Sequence, residues 1–138
     1  MKRNTRALLF FLLFAVIQVI LFPARVISVS PQTPVLSVIR GSNWAYTVPF
    51  EVKHPAIIQK LIQCESQGVN ISKPDSDGIV SAGILQFHAD GTWQDMERLS
   101  GFRGSPLIPS DAIFLADWMI GHGFLRRWSC ARVTGLLM

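Results

Sequence analysis

One acidic residue occupies a position where the sequence pattern calls for an apolar one. Glu65 comes next along an apolar stripe at helical spacing, which is formed by Ile57, Ile58, Leu61 and Ile62. Removal of a carboxyl group from water raises its pKa and keeps it protonated. A protonated carboxyl group can donate its proton to a leaving oxygen, as cleavage of a glycosidic bond requires. The alternative is a side chain that turns to solvent or pairs with a lysine.

Two more carboxylates follow in a segment rich in turn residues. Asp75 and Asp77 lie between Pro74 and Gly78, and the Asp-Gly pair predicts a tight hairpin. Because glycosidases usually use two carboxylates, both residues are candidates for a second one. Simple turn chemistry is the alternative role. A calcium loop is not predicted, since the other ligands and the closing glutamate are missing. No metal or other cofactor is predicted.

Three short motifs occur in order along the chain. They are Glu65-Ser66, Ser81-x-Gly83-Ile84-Leu85-Gln86 and Thr92-Trp93. Together they resemble the lytic transglycosylase and goose-type lysozyme family, a member of the lysozyme-like superfamily with an SLT-like domain. In that family a Glu-Ser pair ends a helix, a hairpin with a Gly-Leu-x-Gln-like motif follows, and a threonine opens the next helix. The resemblance covers residues 55–99, about a third of the chain.

The resemblance implies roles for individual residues. Glu65 takes the acid and base role, while Ser81 and Gln86 line a cleft and hydrogen-bond sugar or N-acetyl groups. Phe87 and Trp93 stack on sugar faces or fill the core. This sequence departs from the family's pattern in two places. Ser81, Ala82 and Gly83 compress the family's usual spacing, and its later Ala-Tyr-Asn-Gly-like segment has no match here.

The implied activity is cleavage of peptidoglycan at the β-1,4 bond between N-acetylmuramic acid and N-acetylglucosamine. A lytic transglycosylase does this with a single glutamate and leaves a 1,6-anhydromuramoyl end. Two alternatives stay open. One is a hydrolytic lysozyme that uses Glu65 plus Asp75 or Asp77, and the other is a non-catalytic peptidoglycan-binding module. A surface for a protein partner, built from scattered tryptophans, is a third reading.

The elements that must position these residues are mostly helical. Pro55 suits the first position of a helix, and Gly68 offers a stop. Strand-forming residues from Ile79 to Phe87 follow the Asp-Gly turn. A second helix is predicted from Thr92 to about Leu99, with Thr92 as its cap, and a third begins with Ser110 as its cap. A last short helix is predicted from Phe124 to about Val133.

The N-terminal segment has the pattern of an export signal. Three basic residues precede an apolar run from Ala7 to Phe22, which is slightly short for a membrane span. Cleavage after Ala24 or Ser28 is one outcome, and an uncleaved membrane anchor is the other. In either case the rest of the chain is expected outside the cytoplasm, either secreted or anchored in the cytoplasmic membrane.

Two cysteines lie far apart in this exported chain. Cys64 directly precedes Glu65, and Cys130 lies near the C-terminus. An even number of cysteines in an oxidising compartment predicts one disulfide bond, with two buried free thiols as the alternative. Because no histidines stand at matching spacing, the pair does not form a predicted metal site.

The charge distribution limits the partners. The sequence pI is about 9.6, but nine basic and nine acidic residues lie from residue 31 onward, so the excess of positive charge belongs to the leader. Nucleic acid is therefore not predicted as a partner. The predicted partners are peptidoglycan strands, and the membrane if the leader stays uncleaved. We predict an α+β, mostly helical organisation: residues 1–30 as signal peptide or anchor, 31–54 as linker or arm, and 55–138 as a lysozyme-like catalytic domain with one small β-hairpin.

Overall fold

The structure is a computed structural model that describes residues 34–76, 78–89 and 91–137. Over these residues it is an α+β fold with four α-helices, one two-stranded sheet and one three-stranded sheet. The elements are β1 (Ser37–Arg40), β2 (Ala45–Val48), α1 (Pro55–Glu65), β3 (Ser72–Pro74), β4 (Val80–Ala82), β5 (Phe87–His88), α2 (Thr92–Ser100), α3 (Pro109–Gly121), a 3-10 turn (Leu125–Arg127) and α4 (Ser129–Val133). The predicted leader and Asp77 lie outside the described residues. None of the helices in the described part is long and apolar enough to cross a membrane.

The segment predicted as a linker or arm is part of the folded unit from residue 34 onward. Strands β1 and β2 form an antiparallel hairpin in which Ser37 pairs with Val48 and Arg40 with Ala45. Alternation along the strands turns Ile39 and Val48 to the same side, where each is about 1% exposed and packs into the core. This packing was not predicted, because the sequence of a short strand does not show what the strand packs against. The domain therefore begins before Pro55.

Helix α1 follows its apolar stripe closely. Pro55 lies in its first turn, and Ile58, Leu61 and Ile62 are fully buried. No side chain of its own caps its N-terminus. Instead, the carboxylate of Asp117 in α3 accepts the backbone N–H groups of Lys53 at 3.0 Å and His54 at 2.8 Å. These two bonds to a residue of another helix fix the start of α1, whose last residue is Glu65.

A small antiparallel sheet follows α1. The chain turns between β3 and β4 at the predicted place, and a bond from the Asp75 N–H to the Ile79 carbonyl at 2.8 Å closes this loop. The sheet is larger than the single hairpin predicted, because β5 adds a third strand on the other side of β4, where Ser81 pairs with His88. Three different strands thereby bring polar side chains to one surface.

The remaining helices lie near their predicted positions, but two predicted caps are wrong. Thr92 and Ser110 each lie inside the first turn of their helix, and neither forms a side-chain cap. Gly91 and Ile108 hold the cap positions. The predicted last helix is divided into the 3-10 turn and α4, with Trp128 extended between them. The buried faces of α1, α2 and α3 form one core with the sheet.

Candidate functional site

An open cleft with a volume of about 430 Å³ lies between α1, the three-stranded sheet and the turn before α4. One wall comes from the sheet and the loops that join its strands, and includes Lys73, Asp75, Ser81, Gln86, Phe87 and His88. The segment that joins the 3-10 turn to α4 contributes Arg127, Trp128 and Ser129. Glu65, Ser76 and Thr92 complete the lining. The cleft surface is mainly polar, as a site for a hydroxyl-rich ligand requires.

Glu65 reaches this cleft from the C-terminal end of α1 and is partly buried. Burial removes the carboxyl group from water and raises its pKa. A long hydrogen bond of 3.4 Å from the Cys130 N–H to Oε1 acts in the opposite direction. The negative charge of Asp75 raises the pKa of Glu65 further, and the positive charges of Lys73 and His88 lower it. The net shift is upward, which favours the protonated acid.

The predicted disulfide bond is confirmed. Cys64 and Cys130 are joined across a sequence separation of 66 residues, with their Cα atoms 5.9 Å apart. The bond ties the last turn of α1 to the first turn of α4. Since Cys64 precedes Glu65 and the Cys130 N–H contacts its carboxylate, the same link holds the acid against its backbone donor.

Asp75 lies in the same cleft and is held by two neighbours. Its Oδ2 accepts a hydrogen bond from the Ser81 hydroxyl at 2.5 Å and lies 3.1 Å from Nε2 of His88. Ser81 is buried, so its hydroxyl serves Asp75 in this structure. The structure therefore brings the candidate second carboxylate and Glu65 to one site. Asp77, the other candidate, is not described.

Gln86 has an unusual backbone conformation, and only the nitrogen of its side-chain amide is hydrogen-bonded. Its φ of 48° lies in the left-handed region, which non-glycine residues seldom adopt. Its Nε2 donates to the carbonyls of Gly83 at 2.6 Å and Ile71 at 3.1 Å. Its buried Oε1 has no hydrogen-bond partner among the described residues. Because an unpaired buried acceptor is costly, this oxygen calls for a donor that the described residues do not supply.

The two predicted aromatic residues differ in position. Phe87 lines the cleft, although only 2% of its surface is exposed. Trp93 is buried behind it and does not line the cleft; its ring meets Phe87 edge-on at a centroid distance of 5.0 Å. Trp93 therefore fills the core and supports Phe87.

Sequence reasoning missed the lining residues of the last helical segment and, on the sheet, Lys73 and His88. Trp128 reaches back across the fold, where its Nε1 donates to the Leu85 carbonyl at 3.0 Å. No local pattern predicts such a contact between residues so distant in sequence. His88 could have been placed beside Ser81 only if the third strand had been predicted with its register.

Comparison of the chain with protein-family models, with curated proteins and with solved structures gives no match. Function therefore has to be inferred from the geometry of the cleft.

Proposed function

We propose that this protein cleaves the glycan strands of peptidoglycan and that Glu65 is its catalytic acid. One observation carries the proposal. The Glu65 carboxyl group is partly desolvated, its pKa is raised, and it lines a polar cleft beside the sheet that follows its helix. A proton held at this place is available to a glycosidic oxygen.

The proposed chemistry needs one carboxyl group. Glu65 donates its proton to the glycosidic oxygen between MurNAc and GlcNAc, and the bond from C1 of MurNAc to that oxygen breaks. The substrate's own N-acetyl group stabilises the positive charge that develops at C1. The Glu65 carboxylate then accepts the proton of the 6-hydroxyl group of MurNAc while the oxygen of that hydroxyl group bonds to C1. The product is a 1,6-anhydromuramoyl end, no water is consumed, and Glu65 regains its proton.

The order of elements supports a lysozyme-like domain. A helix ends at Glu65, the sheet and the turn between its last two strands bring Ser81 and Gln86 to the cleft, and the next helix begins at Thr92. We further propose that the domain works outside the cytoplasm. A disulfide bond between Cys64 and Cys130 supports this location, since such bonds persist mainly in oxidising compartments.

A hydrolytic reaction is the second candidate, and Asp75 is the observation that favours it. Asp75 lines the same cleft and is close enough for its charge to raise the pKa of Glu65. In a hydrolase, Asp75 would act as the nucleophile or activate a water molecule. Mass spectrometry of the released muropeptides separates the two reactions, because an anhydro end is lighter than a reducing end by one water.

The test of catalysis compares three proteins on purified peptidoglycan. Glu65→Gln keeps the shape of the side chain but has no acidic proton, so we expect it to bind without clearing the suspension. Glu51→Gln is the matched control, because Glu51 is exposed and does not line the cleft. Clearing by wild type and Glu51→Gln, with none by Glu65→Gln, supports the enzyme. Binding without clearing by all three would leave a non-catalytic peptidoglycan-binding module.

A further inference from the structure

Two basic side chains line the cleft from two different elements. Lys73 projects from β3, and Arg127 from the 3-10 turn before α4. Both are exposed. Within residues 34–76, 78–89 and 91–137, neither side chain takes part in an ion pair or a hydrogen bond, whereas the pairs present involve His54, His88 and Arg98.

The carboxyl groups of the cleft have other partners. Oδ2 of Asp75 is bound to Ser81 and His88, and Oε1 of Glu65 accepts from the Cys130 N–H. Among the described residues, the cleft therefore presents two cations without a hydrogen-bond partner beside carboxyl groups that have partners. A guanidinium group holds a carboxylate with two parallel hydrogen bonds, and an ammonium group attracts it as a point charge.

We infer that Lys73 and Arg127 bind carboxylate groups carried by the glycan, so that the cleft selects acidic, peptide-bearing strands over neutral ones. This inference rests on the proposed function for the class of ligand, a β-1,4-linked amino-sugar strand. Peptidoglycan strands bear carboxylates on their peptide stems, whereas a polymer of N-acetylglucosamine alone is uncharged. Both cations line the same cleft as Glu65, so a strand bound there meets them while its glycosidic bond reaches the acid.

The test measures binding in the Glu65→Gln background, where no turnover disturbs the equilibrium. The probes are soluble peptidoglycan strands and the same strands with their carboxyl groups chemically amidated. Trp128 in the cleft wall provides a fluorescence signal for the titration. We expect untreated strands to bind more tightly, and Arg127→Gln or Lys73→Gln to weaken that binding about tenfold, the order of one lost charge-assisted hydrogen bond. Neither substitution should change the affinity for amidated strands.

Arg126→Gln is the matched control. Arg126 is exposed, is adjacent to Arg127 in sequence and does not line the cleft, so its loss should leave both affinities unchanged. Equal affinity for the two strand preparations, or an equal loss in Arg126→Gln, would overturn the inference. Turnover of untreated strands by the wild type is measured separately. Binding selectivity without turnover would refute the proposed enzyme and keep the carboxylate site, whereas turnover without selectivity would refute only the carboxylate site.

Discussion

The bond between Cys64 and Cys130 offers a test of how much of the fold depends on one covalent link. The double variant Cys64→Ala/Cys130→Ala removes the bond without leaving a reactive thiol. Cys64 is exposed, so a reductant can also reach the bond in the wild type, whereas Cys130 is nearly buried. Both perturbations should release the end of α1 from α4.

The size of the effect follows from the length of the closed loop. With a separation of 66 residues, the chain-entropy model gives a stabilisation of about 4 kcal/mol. For a domain near this size, each kcal/mol corresponds to about 4–8 °C in melting temperature, so we expect a fall of about 15–30 °C. Residual order in the unfolded chain makes this an upper value.

The assay is thermal unfolding followed by circular dichroism, with and without dithiothreitol. The wild type in reductant should melt at the temperature of the double variant, and the double variant should not respond to reductant. This pair of measurements separates loss of the bond from the loss of two sulfur atoms in packing. A fall below about 5 °C, or a reductant effect on the double variant, would refute the loop-closure reasoning.

Three further predictions concern single residues. Glu65→Gln removes the cost of an ionised, desolvated carboxyl group. This cost to the free energy of unfolding is absent below the ordinary pKa of 4.5 and appears as pH rises through the raised pKa. The variant should therefore gain stability over wild type only toward neutral pH, and a gain independent of pH in urea unfolding would contradict this prediction. Gly83→Ala would place Cβ 1.8 Å from the Pro106 carbonyl oxygen and should cost about 3 kcal/mol or more, whereas Gly78→Ala, with the same φ of 81° and open space, should cost about 1–2 kcal/mol. Equal losses in chemical unfolding would exclude the clash. Asp117→Ala removes the acceptor at the start of α1 and should cost about 1–3 kcal/mol by the same measurement; a loss below about 0.5 kcal/mol would show that the bonds contribute little.

Local patterns predicted the parts of the fold whose signals lie within a few residues of one another. Pro55 and the stripe through Ile62 determine where α1 begins and which face it buries. The turn residues around Pro74 and Gly78 indicate where the chain passes from β3 to β4. By contrast, Thr92 and Ser110 match cap preferences, yet their helices begin one and two residues earlier, respectively, than a cap at these positions allows. Capping preferences are worth only about 1 kcal/mol, so packing decides the boundary.

The site was predictable only on the side that α1 and the hairpin build. Glu65 stood out because a carboxylate followed an apolar stripe, and Asp75 because its turn came next. Arg127 and Trp128 carry no such signal, since their place in the cleft depends on contacts with residues far away in sequence, such as the bond from Trp128 to Leu85. The role of Trp93 could not be predicted from its residue type, because a tryptophan can fill a core or face a ligand.

The end of α1 at Glu65 has a consequence for how the acid is held. Peptide dipoles along a helix leave partial negative charge at its C-terminus, which opposes ionisation of a carboxyl group there. This field exists only while the last turn is wound. Fraying of that turn would return Glu65 to water and lower its pKa to the ordinary value. The pKa of Glu65 therefore also reports whether the helix terminus is intact.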